Sequence, residues 1–145
     1  QTVVDGIRDA GAHVQATAAN CPKTRIVLGG YSQGAAVAGY LTSAVIPPGI
    51  PAEYVQMIPA PMPKEVANHV AAVVLFGKPS DQFISDVGAP PIVIGPAYAG
   101  KTLQSCVPDD TICNGAPPGG PNMAHAMYSV NGTAADAAAY VVSHL

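Results

Sequence analysis

Charged side chains are scarce in this sequence. Only 10% of its 145 residues are Asp, Glu, Lys or Arg, and the six basic residues against nine acidic ones give a net charge of -3. Proteins that bind nucleic acid through its phosphates carry a basic patch or stripe, which this composition does not supply. No apolar run reaches the roughly 18 residues of a membrane-spanning helix. The sequence therefore predicts neither a nucleic-acid partner nor a transmembrane segment.

Cysteine is also rare, with three residues in the chain. Cys106 and Cys113 lie seven apart in a loop rich in Pro, Asp and Gly, a spacing that can close a small disulfide ring. Cys21 is then left over, and an odd cysteine suggests a partner outside this sequence. Because disulfides persist in oxidising compartments, we expect a secreted or cell-envelope protein.

Apolar residues, by contrast, make up 49% of the chain, and the mean hydropathy is +0.28. A chain of this length and composition predicts a single globular domain over residues 1–145. The chain has no initiator Met and opens inside a predicted helix, so we expect the domain to be incomplete at its N-terminus.

Helix and strand patterns alternate along the chain. Apolar residues at spacings of three and four predict an amphipathic helix over residues 3–20, and the prolines of residues 46–63 exclude long regular structure there. Continuous apolar runs predict buried parallel strands. The predicted strands span residues 25–28, 70–76 and 101–105, and further helices follow residue 32 and span 134–145. This order predicts a three-layer α/β domain around a central, mostly parallel sheet.

Ser32 stands in the sequence Gly30-Tyr31-Ser32-Gln33-Gly34, between a predicted strand and a predicted helix. Hydrolases of the α/β class present a nucleophilic serine on such a sharp turn, where glycines relieve the crowding. The free N–H groups at the start of the helix suit the negative oxygen of a tetrahedral intermediate, so the Gln33 N–H is a candidate oxyanion donor. A second donor normally follows an earlier strand, and no such strand is predicted before the first helix.

A serine nucleophile needs a base, and four histidines are available. His13 precedes the serine, whereas the base of this class follows it in the chain. His69 opens a predicted strand, and His144 lies one residue from the end of the predicted closing helix. His125 lies in a loop ahead of that helix, where bases of this architecture are found, and is the favoured candidate.

The base in turn needs an acid that fixes its tautomer and orientation. Asp109 and Asp110 lie between Ser32 and His125 in the loop that the Cys106 to Cys113 disulfide would hold rigid. Asp81, just beyond the predicted strand over residues 70–76, is the rival candidate. The residues alone do not separate Asp109 from Asp110.

Several motifs together resemble those of the cutinase family, particularly its actinobacterial, cutinase-like branch. The likeness covers nearly the whole chain. The motifs that carry it are Gly-Tyr-Ser-Gln-Gly-Ala at 30–35, Cys-Pro at 21–22, Val-Leu-Phe-Gly at 74–77, Cys-x-x-x-Asp-x-x-Cys at 106–113 and His-Ala-Met-Tyr at 125–128.

The resemblance implies an α/β-hydrolase-type fold and a Ser-His-Asp triad. It makes Ser32 the nucleophile, His125 the base and Asp110 rather than Asp109 the acid, with Gln33 as the oxyanion donor.

The resemblance also implies that part of the family's fold lies upstream of Gln1. The counterpart of Cys21 in the family pairs with a cysteine near the N-terminus. The family's first strands and the loop that completes its oxyanion hole would likewise precede this chain. We therefore expect weak activity or none from the chain without that upstream part.

The reaction implied is ester hydrolysis, which requires no metal and no cofactor. Tyr31 beside the nucleophile and Met123 and Met127 around the base are the candidate substrate-binding residues, and such apolar material suits lipid-like or polyester substrates. Two alternatives remain open. One is an acetylxylan-type carbohydrate esterase with a more polar rim, and the other is a catalytically silent, secreted, antigen-like protein.

Overall fold

The computed structural model describes residues 2–117 and 119–145. Its strands are β1 Ile26–Tyr31, β2 Val70–Phe76 and β3 Thr102–Ser105. Its α-helices are α1 Val3–Asn20, α2 Gln33–Leu41, α3 Ala52–Val55, α4 Asp81–Asp86, α5 Pro96–Ala99 and α6 Thr133–Val142, and two short 3-10 helices span Lys64–His69 and Ala124–Ala126.

The three strands form one parallel sheet in the order β1-β2-β3. Tyr31 at the end of β1 lies opposite Phe76 at the end of β2, and Phe76 lies opposite Ser105 at the end of β3. The three carboxyl ends are therefore level at one edge of the sheet. Segments that follow parallel strands meet at such an edge, which is where open α/β sheets bind their ligands.

Strand β2 is covered on both faces. Successive side chains of a strand point to opposite faces, and Val73 and Leu75 on one face and Ala72 and Val74 on the other are all buried. Helix α2 contacts β1 and β2, while α6 contacts β2 and β3. The result is a sheet with helices packed against it, as the continuous apolar run of β2 predicts.

Most of the long elements lie where the sequence predicts them. Helix α1 begins at a capping box, in which the side chains of Thr2 and Asp5 each accept a hydrogen bond from the backbone N–H of the other residue. The proline-rich residues 46–63 contain only the four-residue helix α3. The other short helices escaped prediction because none exceeds six residues, which is too brief to show an apolar period.

None of the helices in the described part of the chain combines the length and the apolar composition needed to cross a membrane.

Candidate active site

Ser32 occupies a strained turn between β1 and α2. Its φ angle is 57°, and among the residues that the structure describes it is the one non-glycine residue with a positive φ. Its backbone N–H donates a 2.9 Å hydrogen bond to the Phe76 carbonyl, which extends the β1–β2 pairing by one residue. Such strain persists only where the surrounding structure holds it, and it is concentrated at functional sites.

The two glycines of the Ser32 motif have different surroundings. A Cβ on Gly30 would overlap the Gly34 carbonyl and lie 2.7 Å from the Ala35 nitrogen, so this position requires glycine. A Cβ on Gly34 would meet no atom within 4 Å apart from its chain neighbours and the backbone of its own helix. The interpretation that crowding requires glycine on both sides of Ser32 is therefore wrong for Gly34.

His125 links Ser32 to Asp110. Its Nε2 lies 2.8 Å from the Ser32 Oγ, and its Nδ1 lies 2.8 Å and 3.0 Å from the two carboxylate oxygens of Asp110. An ionised carboxylate only accepts hydrogen bonds, so Nδ1 carries the proton of the neutral ring. The Nε2 lone pair then faces the serine hydroxyl, which is the tautomer that a general base for Ser32 requires.

The Asp110 carboxylate is fully buried, and its two oxygens accept hydrogen bonds from the groups around it. Besides His125, the Ile112 N–H donates to Oδ1 at 3.0 Å and the Tyr128 hydroxyl donates to Oδ2 at 2.7 Å. Burial alone would raise the pKa of Asp110, but the hydrogen bonds from Tyr128, His125 and Ile112 outweigh it and hold this pKa below its ordinary value. Asp110 is therefore ionised at neutral pH.

The loop that carries Asp110 is closed by the disulfide Cys106–Cys113, as the sequence predicts. The two other candidate acids lie elsewhere. Asp109 is exposed to solvent, and Asp81 is exposed in the first turn of α4. Of the three candidate acids, only Asp110 is within hydrogen-bond distance of the His125 ring.

A cutinase family model matches residues 1–145. The chain belongs to the cutinase family, a family of ester hydrolases. It is 59% identical to the Mycobacterium tuberculosis protein named "Probable carboxylesterase Culp7", over all of this chain and 74% of that protein. The resemblance and the ester-hydrolase class predicted from the sequence are confirmed.

Solved structures agree with this fold. Trichoderma reesei cutinase in complex with a phosphonate inhibitor superposes with a TM-score of 0.58 at 28% identity, over 97% of this chain and 50% of that one. An acetylxylan esterase superposes with a TM-score of 0.71 at 23% identity, over 98% of this chain and 70% of that one, a likeness of fold alone. The predicted α/β-hydrolase-type fold is confirmed.

Two residues of this cutinase-family site were not identified from the sequence. Gly77 has a φ of +57°, and a Cβ there would lie 3.0 Å from the Asp110 Oδ2 and 3.1 Å from the His125 ring. Tyr128 also accepts a 3.2 Å hydrogen bond from the Val107 N–H, and burial and Asp110 raise its pKa to about 12. Both belong to motifs quoted above, but nothing in the sequence shows which side chain or backbone they approach.

The other predicted site residues are placed as follows. As the first residue of α2, Gln33 has an N–H with no acceptor within the helix. Met123 and Met127 are 74% and 38% exposed, and neither lines the cleft beside Ser32. Tyr31 packs against the His125 ring and does not line the cleft. The roles predicted for these four residues stay predictions.

Cys21 is an exposed, free thiol among the described residues. The disulfide of the structure joins the two other cysteines within the chain, so the predicted pairing of Cys21 with an upstream cysteine has no support here and stays a prediction.

The cleft beside Ser32 has a volume of about 1390 Å³ and is mainly apolar. Ser32, Gln33 and His125 share this cleft with side chains of α1, α4 and the proline-rich segment. Of the described residues that line it, only Arg8 carries a formal charge at neutral pH.

The two motif glycines give a matched pair of variants. We expect Gly30→Ala to destabilise the fold and abolish esterase activity, because the new methyl group would overlap backbone that cannot move without breaking the turn at Ser32. Gly34→Ala should keep the wild-type activity and gain up to about 1 kcal/mol of stability from helix propensity. Urea unfolding and ester hydrolysis measure both effects, and equal damage by the two variants would contradict this account.

Tyr128→Phe tests the support of Asp110. Because the pKa of Asp110 is lower in the folded than in the unfolded chain, its ionised form stabilises the fold above a pH of about 4, and this contribution is lost as the pH falls through the folded-state pKa. Removing the Tyr128 hydroxyl should cost about 1–3 kcal/mol at neutral pH.

The difference in unfolding free energy between wild type and Tyr128→Phe should shrink on acidification from about pH 7 to about pH 3, because protonated Asp110 no longer favours that donor. Tyr140→Phe on α6 is the control, with no such pH dependence expected. A Tyr128→Phe penalty that is independent of pH would refute the electrostatic role.

Proposed function

We propose that this chain is a serine esterase that hydrolyses carboxylic esters through Ser32, His125 and Asp110. The observation that carries the proposal is the unbroken chain of hydrogen bonds from the Ser32 Oγ through both nitrogens of His125 to the buried Asp110 carboxylate. Its serine end opens into an apolar cleft, where an ester can reach it.

Acylation begins when the Ser32 Oγ attacks the ester carbonyl carbon and passes its proton to the His125 Nε2. The carbonyl oxygen becomes an oxyanion, which the free Gln33 N–H at the positive end of α2 stabilises. When the tetrahedral intermediate collapses, the protonated His125 gives this proton to the leaving alcohol. Ser32 is left as an acyl ester.

Deacylation repeats these steps with water as the nucleophile. His125 takes a proton from the water and returns it to the Ser32 Oγ, which releases the carboxylic acid. Asp110 keeps Nδ1 protonated and stabilises the imidazolium formed in both halves of the reaction. Asp110 stays ionised throughout, in line with its lowered pKa.

The lining of the cleft favours lipid-like or polyester substrates over carbohydrate. Phe83, Ile84 and Val87 of the α4 region and Ile112 beside Asp110 line it together with His125. Such a surface gains free energy by covering acyl chains. Sugar hydroxyls would lose their hydrogen bonds to water there without replacement, which disfavours the acetylxylan-type alternative.

We also propose that the protein works outside the cytoplasm, secreted or in the cell envelope. The Cys106–Cys113 disulfide holds the loop that presents Asp110, and such bonds persist in oxidising compartments.

Substitution of the triad tests the mechanism. Ser32→Ala and Asp110→Asn should each lower kcat on p-nitrophenyl butyrate by about 10⁴-fold, the first by removing the nucleophile and the second by favouring the wrong tautomer of His125. Asp109→Asn is the matched control, because its exposed side chain lies next in the chain but outside the triad, and it should leave kcat unchanged. Equal rates for wild type and Ser32→Ala would show that the proposed esterase mechanism is wrong and would favour a catalytically silent protein.

A series of acyl-chain lengths tests the substrate class. From p-nitrophenyl acetate to the butyrate and longer esters, kcat/KM should rise by up to about fourfold for each added CH₂ that the cleft buries, which corresponds to about 0.8 kcal/mol. Ser32→Ala measured in parallel gives the background. An acetyl-only profile with release of acetate from acetylated xylan would instead support the carbohydrate esterase.

A further inference from the structure

We propose that Tyr31 is a positioning residue that holds His125 against Ser32, acting through the base and not through contact with substrate. This inference rests on the proposed function, because it assigns a role within the same triad. It differs from the substrate-binding role predicted for Tyr31 from its place beside the nucleophile.

Two contacts join Tyr31 to His125, although the residues lie 94 positions apart in the chain. The Tyr31 hydroxyl donates a 2.6 Å hydrogen bond to the His125 carbonyl oxygen. The two rings are stacked, with centroids 5.0 Å apart and planes inclined by 28°. One side chain thus restrains both the backbone and the imidazole of the base.

The segment before His125 needs such restraint. It contains Gly119, Gly120 and Pro121, and its only regular structure is the single 3-10 turn Ala124–Ala126. A segment of this kind has few backbone hydrogen bonds of its own, so its position depends on contacts from other parts of the chain.

Two of these contacts connect His125 to different parts of the site. The Asn122 side chain accepts from the His125 N–H and donates to the Asp109 carbonyl, which links the base to the loop of the acid. Tyr31 is the last residue of β1, so it links the base to the strand that immediately precedes the nucleophile. The reacting distance between the Ser32 Oγ and the His125 Nε2 is therefore set by Tyr31 as well as by the hydrogen bond between them.

The position of Tyr31 relative to the cleft argues against a substrate contact. Ser32, Gln33 and His125 line the cleft, whereas Tyr31 is absent from its described lining. Tyr31 is 46% exposed, although its ring is stacked on His125.

The stacked ring also lies against the imidazole that takes up a proton during the reaction. His125 becomes a cation when it takes the serine proton, and an aromatic face attracts a cation that lies over it. The hydroxyl and the ring of Tyr31 therefore make separable contributions, the first to the backbone of the base and the second to its imidazolium.

Two variants separate these contributions. Tyr31→Phe keeps the ring and removes the hydrogen bond, and it should lower kcat on p-nitrophenyl butyrate by about fivefold, as expected for one net hydrogen bond. Tyr31→Leu also removes the stack, and it should lower kcat by about 100-fold, as expected when a reacting group is misplaced by about 1 Å. KM and the dependence on acyl-chain length should not change in either variant.

Tyr54→Phe on α3 is the matched control, because Tyr54 is exposed to a similar degree, at 53%, and is not part of the cleft lining. It should leave kcat and KM at their wild-type values. Thermal unfolding of each variant establishes that the fold is intact, and if Tyr31→Leu does not fold, the kcat of Tyr31→Phe decides the question.

Unchanged kcat in the Tyr31 variants would overturn the inference. So would a raised KM with an altered chain-length profile, since that result identifies a substrate contact. Activity that survives Ser32→Ala is a different outcome, because it overturns the proposed function and with it any role of Tyr31 in this reaction.

Discussion

The parallel register of β1, β2 and β3 is the constraint on which the candidate site depends. It brings Tyr31, Phe76 and Ser105 level at one edge of the sheet, so that the segments after the three strands must meet there. Ser32 follows the first strand, and the loop of Asp110 follows the third. The hydrogen bond from the Ser32 N–H to the Phe76 carbonyl continues this register into the strained turn that exposes the serine hydroxyl.

A buried carboxylate is the second requirement, because an isolated charge inside a protein is strongly disfavoured. Here Asp110 is ionised although it is fully buried, because Tyr128, His125 and the Ile112 N–H all donate hydrogen bonds to it. Gly77 allows this cluster to form at the end of β2, since any Cβ there would crowd both Asp110 and His125. A side chain at position 77 would require the acid or the base to shift by a few tenths of an ångström, and the positive φ there favours glycine as well.

Much of this arrangement could be predicted, and the failures have physical causes. Ser32 and the disulfide of Cys106 and Cys113 follow from local patterns, because a strand-to-helix turn and a disulfide between cysteines seven apart depend on neighbours in the chain. The substrate contact predicted for Met123 and Met127, from their place beside His125 in sequence, stays a prediction, and both side chains are exposed. The space around Gly34 that could hold a Cβ also escaped prediction, since a motif shows which residue is present and not which atoms surround it.

The sequence by itself determined the order of the strands and the long helices, the nucleophile motif and the family, because each rests on residue types at short or fixed spacings. It left Asp109 and Asp110 equivalent until the resemblance was considered, and it assigned no contact to Tyr128 or to the Tyr31 ring. Only the tertiary structure showed the contacts of Tyr128 and of the Tyr31 ring. Whether a carboxylate is buried, which hydroxyl donates to it and which ring covers the base depend on segments up to 94 positions apart, which only the folded chain brings together.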